Sequence, residues 1–257
     1  MAENEYVEAV LGDLFDAGAE PRVRVAGVGG AGGNVVSALS ERELQGMETV
    51  VVNADRSGLE RARADRKVHL EVAEASEEAV AEAAEADPAL REAMAAEIAF
   101  VVAGLGGVAG SGAIRPVCRA ARDQGAVVIA IAILPFQAEG RRRERAEALV
   151  EGLRADCDTV LIVDNESIVK FDGAGSFRDA FGLVNQMVCR LVTGVLEQVR
   201  KDFYTTLAEE VETVARTLEE QSGSEVAVSV VAPPDVVEAQ PDLTPVAFDS
   251  TGFIGWK

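Results

Sequence analysis

The stretch GVGGAGGN at residues 27–34 follows an apolar run at 23–26, and the stretch GLGGVAGSG at residues 104–112 follows another at 98–103. Each pattern is typical of a buried strand that turns sharply into a helix. Glycine lets the backbone adopt positive φ and approach a ligand closely, and a helix start presents free N–H groups to an anion. Two such turns at corresponding strand ends predict one site that holds a polyphosphate between them.

Composition narrows the class of protein. The 257-residue chain is 48% hydrophobic and 5% aromatic, so its core must consist mainly of aliphatic residues. Its net charge of −20 argues against nucleic-acid binding, because phosphate backbones would be repelled. No apolar run reaches the roughly 18 residues that a membrane span needs. The acidic residues 1–5 lack the basic start of a secretory signal, so we expect a cytoplasmic protein without a transmembrane segment.

Cysteine and histidine offer little catalytic chemistry. The three cysteines are far apart and share no metal-binding spacing, which predicts reduced, buried side chains. His69 is the one histidine, and a structural role is the simpler interpretation of its place in a short apolar run. No metal site is predicted from side chains alone.

Apolar runs alternate with helical patterns along the chain, which predicts an α/β fold with a doubly wound, Rossmann-like parallel sheet and its ligand at the carboxyl ends of the strands. We divide the chain into an N-terminal helix (1–20), a nucleotide-binding domain with a central helix (21–200), an amphipathic helix (201–222) and a tail (223–257). The predicted strands are 22–28, 49–53, 98–103, 126–134 and 158–163, and the predicted helices lie near 33–45, 74–96, 112–124, 140–155 and 178–200.

One glycine turn alone permits a different function. Gly27, Gly29 and Gly32 match the dinucleotide fingerprint, and Asp55 follows at a plausible distance, which is typical of NAD-dependent oxidoreductases. That interpretation leaves the second glycine turn unexplained. The Walker pattern is absent, which disfavours a P-loop ATPase.

The second turn resembles the GGGTG(T/S)G signature of the tubulin/FtsZ family, and the resemblance continues in the same order along residues 22–200. It rests on GGAGGN at 29–34, NAD at 53–55, GGVAGSG at 106–112, PFQAEGRRR at 135–143, DNE at 164–166 and DAFGLVN at 179–185.

The resemblance implies GTP or GDP as the cofactor, with Mg²⁺ held through the phosphates. It implies that Glu139 and Arg143 embrace the ribose and that Phe181 stacks under guanine. The simpler alternatives are a core role for Phe181, a solvated helix start for Arg143 and a helix cap for Asn165. The full implied set is Gly29, Gly30, Asn34, Asp55, Gly106, Gly107, Gly110, Ser111, Gly112, Glu139, Arg143, Asn165, Phe181 and Asn185.

The chain also departs from the family pattern. Val108 and Ala109 replace Gly and Thr beside the phosphates, and the family's third loop, GAGANP, aligns with AAEADP at 83–88. That alignment places the negative charge of Glu85 near the γ-phosphate. A gapless alignment puts Leu207 on one of the two acidic positions used for GTP hydrolysis and Glu210 on the other. Glu210 is therefore the catalytic candidate, and an exposed helix charge is its simpler interpretation.

These patterns predict an FtsZ-like, guanine-nucleotide-binding protein of the cytoskeleton or of cell division, with weak or absent GTP hydrolysis and a truncated C-terminus. We expect a homo-oligomer or filament, and an FtsZ-family or membrane-linked partner for the C-terminal tail. The alternatives are a nucleotide-free pseudo-GTPase scaffold and, more distantly, the oxidoreductase.

Overall fold

The computed structural model describes residues 21–42, 46–167 and 177–222. The predicted N-terminal helix (1–20) and tail (223–257) lie outside the described residues. The strands are β1 Val23–Val28, β2 Met47–Asn53, β3 Arg66–His69, β4 Ile98–Gly104, β5 Val127–Leu134 and β6 Thr159–Asp164. The helices are α1 Gly29–Ser40, α2 Arg56–Arg61, α3 Glu77–Ala86, α4 Pro88–Ala93, α5 Val108–Arg122, α6 Arg141–Asp156 and α7 Phe177–Ser222, with a 3₁₀ turn at Gln137–Glu139.

The six strands form one parallel sheet in the order β3-β2-β1-β4-β5-β6. This order confirms the predicted doubly wound, Rossmann-like fold. The chain winds outward from β1 in one direction and from β4 in the other, so the topological switch point lies between these two strands. The glycine turns at 27–34 and 104–112 follow β1 and β4, and the fold therefore brings them together.

Small aliphatic side chains build the core on both faces of the sheet. Every residue of β1 is buried, as are the central residues of β4. Continuous burial is expected of a parallel strand covered by helices on both sides. The cysteines Cys118, Cys157 and Cys189 are buried and unpaired, as predicted.

Four local features differ from the prediction. The edge strand β3 and the short helix α2 were not predicted. The single helix expected at 74–96 is two helices, because Asp87 ends α3 and accepts hydrogen bonds from the N–H groups of Ala89 and Leu90, with Pro88 at the start of α4. The segments expected as separate helices at 178–200 and 201–222 form one continuous helix, α7.

The chain divides into two compact units, which are described separately. The first, Arg22–Val192, contains the whole sheet and helices α1 to α6. The second includes the distal part of α7 from Thr193 onward, where Phe203, Leu207 and Val211 are half-buried. Within the described ranges, we find no helix long and apolar enough to span a bilayer.

Candidate functional site

The two glycine turns meet at the switch point. Gly29 has a φ of 69°, and a Cβ atom on it would lie 2.9 Å from the backbone nitrogen of Gly110. A side chain would therefore separate the two turns as well as strain the backbone. Helices α1 and α5 begin at these turns, and neither N-terminus has a side-chain cap or an acidic residue in its first turn. Their free N–H groups are suited to an anion.

The second turn is shaped by its own side chains. The Gly106 N–H donates to Ser111 Oγ at 2.8 Å, and Gly106 has a φ of 87°. Ser111 is buried, so its hydroxyl serves the turn itself. A Cβ on Gly112 would lie 2.5 Å from the carbonyl oxygen of Glu77, so this glycine lets α5 pack closely on α3.

A cleft of about 840 Å³ opens beside these turns, within the first compact unit. Its lining combines backbone from the glycine turns with polar side chains from β2, α1 and α7. Of the predicted site residues, it brings together Gly29, Gly30, Asn34, Asp55, Gly107, Gly110, Glu139, Asn165 and Asn185. The departures Val108 and Ala109 also line it, and Val108 is 39% exposed.

Asn165 carries a buried polar atom that lacks a hydrogen-bond partner among the described residues. It follows β6, is only 4% exposed, and lines the cleft. Its Oδ1 atom has no hydrogen-bond partner among the described residues. A buried amide oxygen without a partner carries a desolvation cost, which a ligand donor would remove.

Asp55 lines the cleft and also serves as the N-cap of α2. Its carboxylate accepts hydrogen bonds from the N–H groups of Ser57 and Gly58 at 3.1 and 3.0 Å. The hydrogen bond from the Ser57 hydroxyl, together with these backbone bonds, lowers the pKa of Asp55 below its usual value. Asn53 supports the turn by accepting from the Asp55 N–H at 3.0 Å.

Glu139 and the arginines after it form the wall beyond β5. Glu139 Oε1 accepts from the Phe136 N–H at 2.9 Å, and Oε2 pairs with Arg142. Arg143 donates to Asp164 at 2.7 and 3.2 Å and to the carbonyl oxygen of Pro135 at 2.9 Å. The bond to Asp164 raises the pKa of Arg143.

The resemblance implies that Arg143 contacts the ribose, but these bonds hold Arg143 outside the cleft lining. Its neighbour Arg142 lines the cleft instead. Sequence reasoning also missed Ser37, Asn53, Arg61 and Arg63 in the lining. The signal for Arg142 was its place in the run of three arginines at 141–143.

Glu85 is not where the alignment placed it. AAEADP at 83–88 forms the end of α3 and the start of α4, and it does not follow a strand. Glu85 pairs with Arg119 of α5 and is absent from the cleft lining. The structure therefore does not place Glu85 beside the cleft, and the expected repulsion of a γ-phosphate by Glu85 is wrong.

The remaining predicted residues are placed in α7. The backbone of Phe181 is helical, and its side chain lies outside what the structure describes. Glu210 is exposed on the distal part of α7, in the second unit. Across residues 21–42, 46–167 and 177–222, no cluster of His, Cys, Asp and Glu is arranged to hold a metal ion.

The sheet order and the paired glycine turns define a doubly wound α/β protein with a cleft at the switch point. Residues 22–173 match the Tubulin/FtsZ family, GTPase domain. The chain is 33% identical to cell division protein FtsZ of Methanothermobacter thermautotrophicus over 210 residues, which cover 77% of this chain and 54% of the relative. It is 36% identical to cell division protein FtsZ 1 of Halobacterium salinarum over 214 residues, which cover 78% and 52%.

Solved structures agree. An empty FtsZ dimer of M. jannaschii superposes with a TM-score of 0.66 at 26% identity, covering 77% of this chain and 60% of that one. CetZ1 from Haloferax volcanii, a GDP-bound monomer, shares the fold with a TM-score of 0.57 at 24% identity, covering 65% and 58%. The chain belongs to the tubulin/FtsZ family, as the sequence motifs predicted. It spans about half the length of the curated relatives that it matches.

Proposed function

We propose that this protein binds GTP or GDP in the cleft at the switch point. The observation that carries the proposal is the pair of uncapped, glycine-rich helix starts of α1 and α5, in contact at Gly29 and Gly110. Their N–H groups suit a diphosphate or triphosphate. A Mg²⁺ ion would be held through the phosphate oxygens, as hard cations favour.

The polar groups of the cleft favour a purine nucleoside. The unpartnered Oδ1 of Asn165 can accept from an exocyclic amino group or a ring N–H, and Asn34 and Asn185 supply further amides in the same lining. Phe181 is proposed to stack on the base, and Glu139 to accept from ribose hydroxyls. These properties favour guanine nucleotides over NAD, because a dinucleotide on the first glycine turn would leave the second, with its uncapped helix start, without a role.

We further propose that GTP hydrolysis is weak. Leu207 stands at one of the two positions that carry acidic residues in the family pattern, and a leucine cannot polarise water. Glu210 is the carboxylate that remains, and it is exposed. The proposed role is structural: a cytoplasmic, FtsZ-related protein that assembles into homo-oligomers or filaments, or modulates assembly, with residues 223–257 available to an FtsZ-family or membrane-linked partner.

A nucleotide-free scaffold is the second candidate. Val108 and Ala109 add bulk at the second glycine turn and line the cleft beside Gly107 and Gly110. If these side chains exclude phosphates, the protein would assemble with an empty cleft.

Isothermal calorimetry with GDP, GTP, ATP and NAD distinguishes these candidates. We expect GDP and GTP to bind more tightly than ATP or NAD. Asn165→Ala should weaken GDP binding about tenfold or more without lowering the free energy of unfolding of the ligand-free protein, because it removes a polar atom that has no partner there. Equal affinity for ATP and GTP would contradict the choice of base, and no binding of any nucleotide would favour the scaffold.

A further inference from the structure

Helix α6 begins with Arg141, Arg142 and Arg143, three like charges at the positive end of the helix dipole. This arrangement is unfavourable unless nearby anions offset it. The three side chains nevertheless have different surroundings. Arg141 is exposed and outside the cleft lining, Arg142 lines the cleft, and Arg143 is held outside it.

Arg143 has its charge satisfied within the protein. It is paired with Asp164 at 2.7 Å and Glu147 at 2.6 Å, and its side chain is 12% exposed. These contacts join the start of α6 to the end of β6. The guanidinium is thus a structural tie between two elements.

Arg142 joins the two halves of the cleft wall. Its Nε donates to the carbonyl oxygen of Gly106 at 2.8 Å, at the start of the second glycine turn, and its Nη1 pairs with Glu139. Its side chain remains 50% exposed. A guanidinium carries five N–H donors, so donors remain available after these two contacts.

The other arginines of the cleft are less suited to a phosphate. Arg63 pairs with Glu41 at 2.8 Å, and Arg61 lies at the end of α2. Of the three arginines in the lining, Arg142 is the one hydrogen-bonded to a glycine turn. Since both glycine turns present N–H groups to the same anion, the guanidinium at Gly106 stands beside the expected position of the phosphates.

We propose that Arg142 is the cation that binds the phosphates of the nucleotide, and that its neighbour Arg143 serves the fold. The inference rests on the proposed function, because it needs a nucleotide in the cleft. The geometry gives Arg142 two further effects: it fixes the Gly106 carbonyl and it orients Glu139.

The test compares Arg142→Gln with Arg141→Gln, a control that removes the same charge one residue earlier and outside the lining. GDP and guanosine binding are measured by calorimetry on the full chain at two salt concentrations. We expect Arg142→Gln to weaken GDP binding about tenfold to a hundredfold, the range of a charge-assisted hydrogen bond. Guanosine binding should change no more than about threefold, and the salt dependence of GDP binding should become shallower.

The outcomes separate this inference from the proposed function. If wild-type protein binds GDP and Arg142→Gln binds it equally well, the assignment of Arg142 is wrong and the nucleotide site stands. An equal loss for guanosine and GDP would show that Arg142 acts through Glu139, which also overturns the phosphate contact. If Arg141→Gln weakens GDP binding as much as Arg142→Gln does, the effect is one of long-range charge and the direct contact is wrong. If wild type binds no nucleotide, the proposed function fails first.

Discussion

A Cβ atom on Gly29 would lie 2.9 Å from the backbone nitrogen of Gly110, so the two glycine turns can pack this closely only because Gly29 has no side chain. Gly29 also has a φ of 69°, which L-residues rarely adopt. We expect Gly29→Ala to lower the free energy of unfolding by about 1–3 kcal/mol and to weaken nucleotide binding. Gly30→Ala is the matched control, since a Cβ there meets no atom within 4 Å. Urea unfolding measures both variants, and equal stability would contradict the steric argument.

The ion pair between Arg143 and Asp164 should contribute to stability. Both side chains are mostly buried, at 12% and 23% exposure, so removing one partner leaves the other poorly solvated. We expect Arg143→Gln to cost about 1–3 kcal/mol. Arg145→Gln is the control, because its pair with Glu77 is longer, at 3.5 Å, and 60% exposed on the arginine side. A double-mutant cycle with Asp164→Asn measures the coupling free energy between the two side chains. If the effects of the two single substitutions on the free energy of unfolding simply add, the pair does not contribute to stability.

The pair between Arg22 and Glu97 predicts a pH dependence at the amino edge of the sheet. The hydrogen bond from Arg22 lowers the pKa of Glu97 below its usual value. A depressed pKa in the folded state means that the stabilisation is complete above the unfolded pKa of about 4.3 and is lost as pH falls through the lower, folded value. Glu97→Gln should therefore be less stable than wild type at neutral pH, and the difference should vanish in acid. Urea unfolding from pH 7 to pH 3 tests this, and a constant difference would contradict it.

GTP turnover should be slow and insensitive to the exposed carboxylate on α7. Leu207 leaves one of the two acidic positions of the family pattern without a carboxylate, and the other, Glu210, is an exposed helix residue. We expect low phosphate release at every protein concentration, with Glu210→Ala close to wild type. Glu209→Ala, the neighbouring exposed carboxylate, is the control. Robust release that rises with protein concentration and disappears in Glu210→Ala would show that the alignment-based argument is wrong.

Self-association is expected to depend on the C-terminal segments more than on hydrolysis. Phe203, Leu207 and Val211 lie four residues apart on α7 and are half-buried, and residues 223–257 contain the apolar end GFIGW at 252–256. High salt should favour association by screening the net charge of −20. Sedimentation of the chain without residues 223–257, in molar salt with and without GTP, provides the measurement. Association equal to that of the full chain would exclude a role for the tail.

Much of the sheet could be predicted because its strands are long and apolar. Strand β3 could not, since it has four residues with charged Arg66 and Lys67, and of its members Val68 alone is buried. Asp87 and Pro88, a helix cap followed by proline, signal the break between α3 and α4. They lie within a stretch of good helix formers, which predicts one continuous helix. A segment rich in Ala and Glu favours helix throughout, so its composition does not reveal a boundary that depends on Asp87.

The meeting of the two glycine turns could be predicted from Gly29 and Gly110, because a close backbone approach is a local demand that glycine meets. Which of Arg142 and Arg143 lines the cleft could not be predicted from the sequence. Neighbouring helical residues point about 100° apart, and which of them lines the cleft depends on Asp164, far along the chain. Glu85 shows the converse: matching letters at 83–88 suggested a loop, but helix propensity and the pair with Arg119 place the segment elsewhere.

Arg143 also determines how rigid the cleft is before a ligand enters. Arg143 follows the short turn that carries Glu139 and bonds to the carbonyl oxygen of Pro135, which precedes it, and its bond to Asp164 ties the turn to β6. That wall is therefore preorganised, and an incoming ligand need not spend binding free energy on ordering it. Association should accordingly proceed without a slow rearrangement of this wall, so that differences in affinity among its variants arise mainly in the dissociation rate.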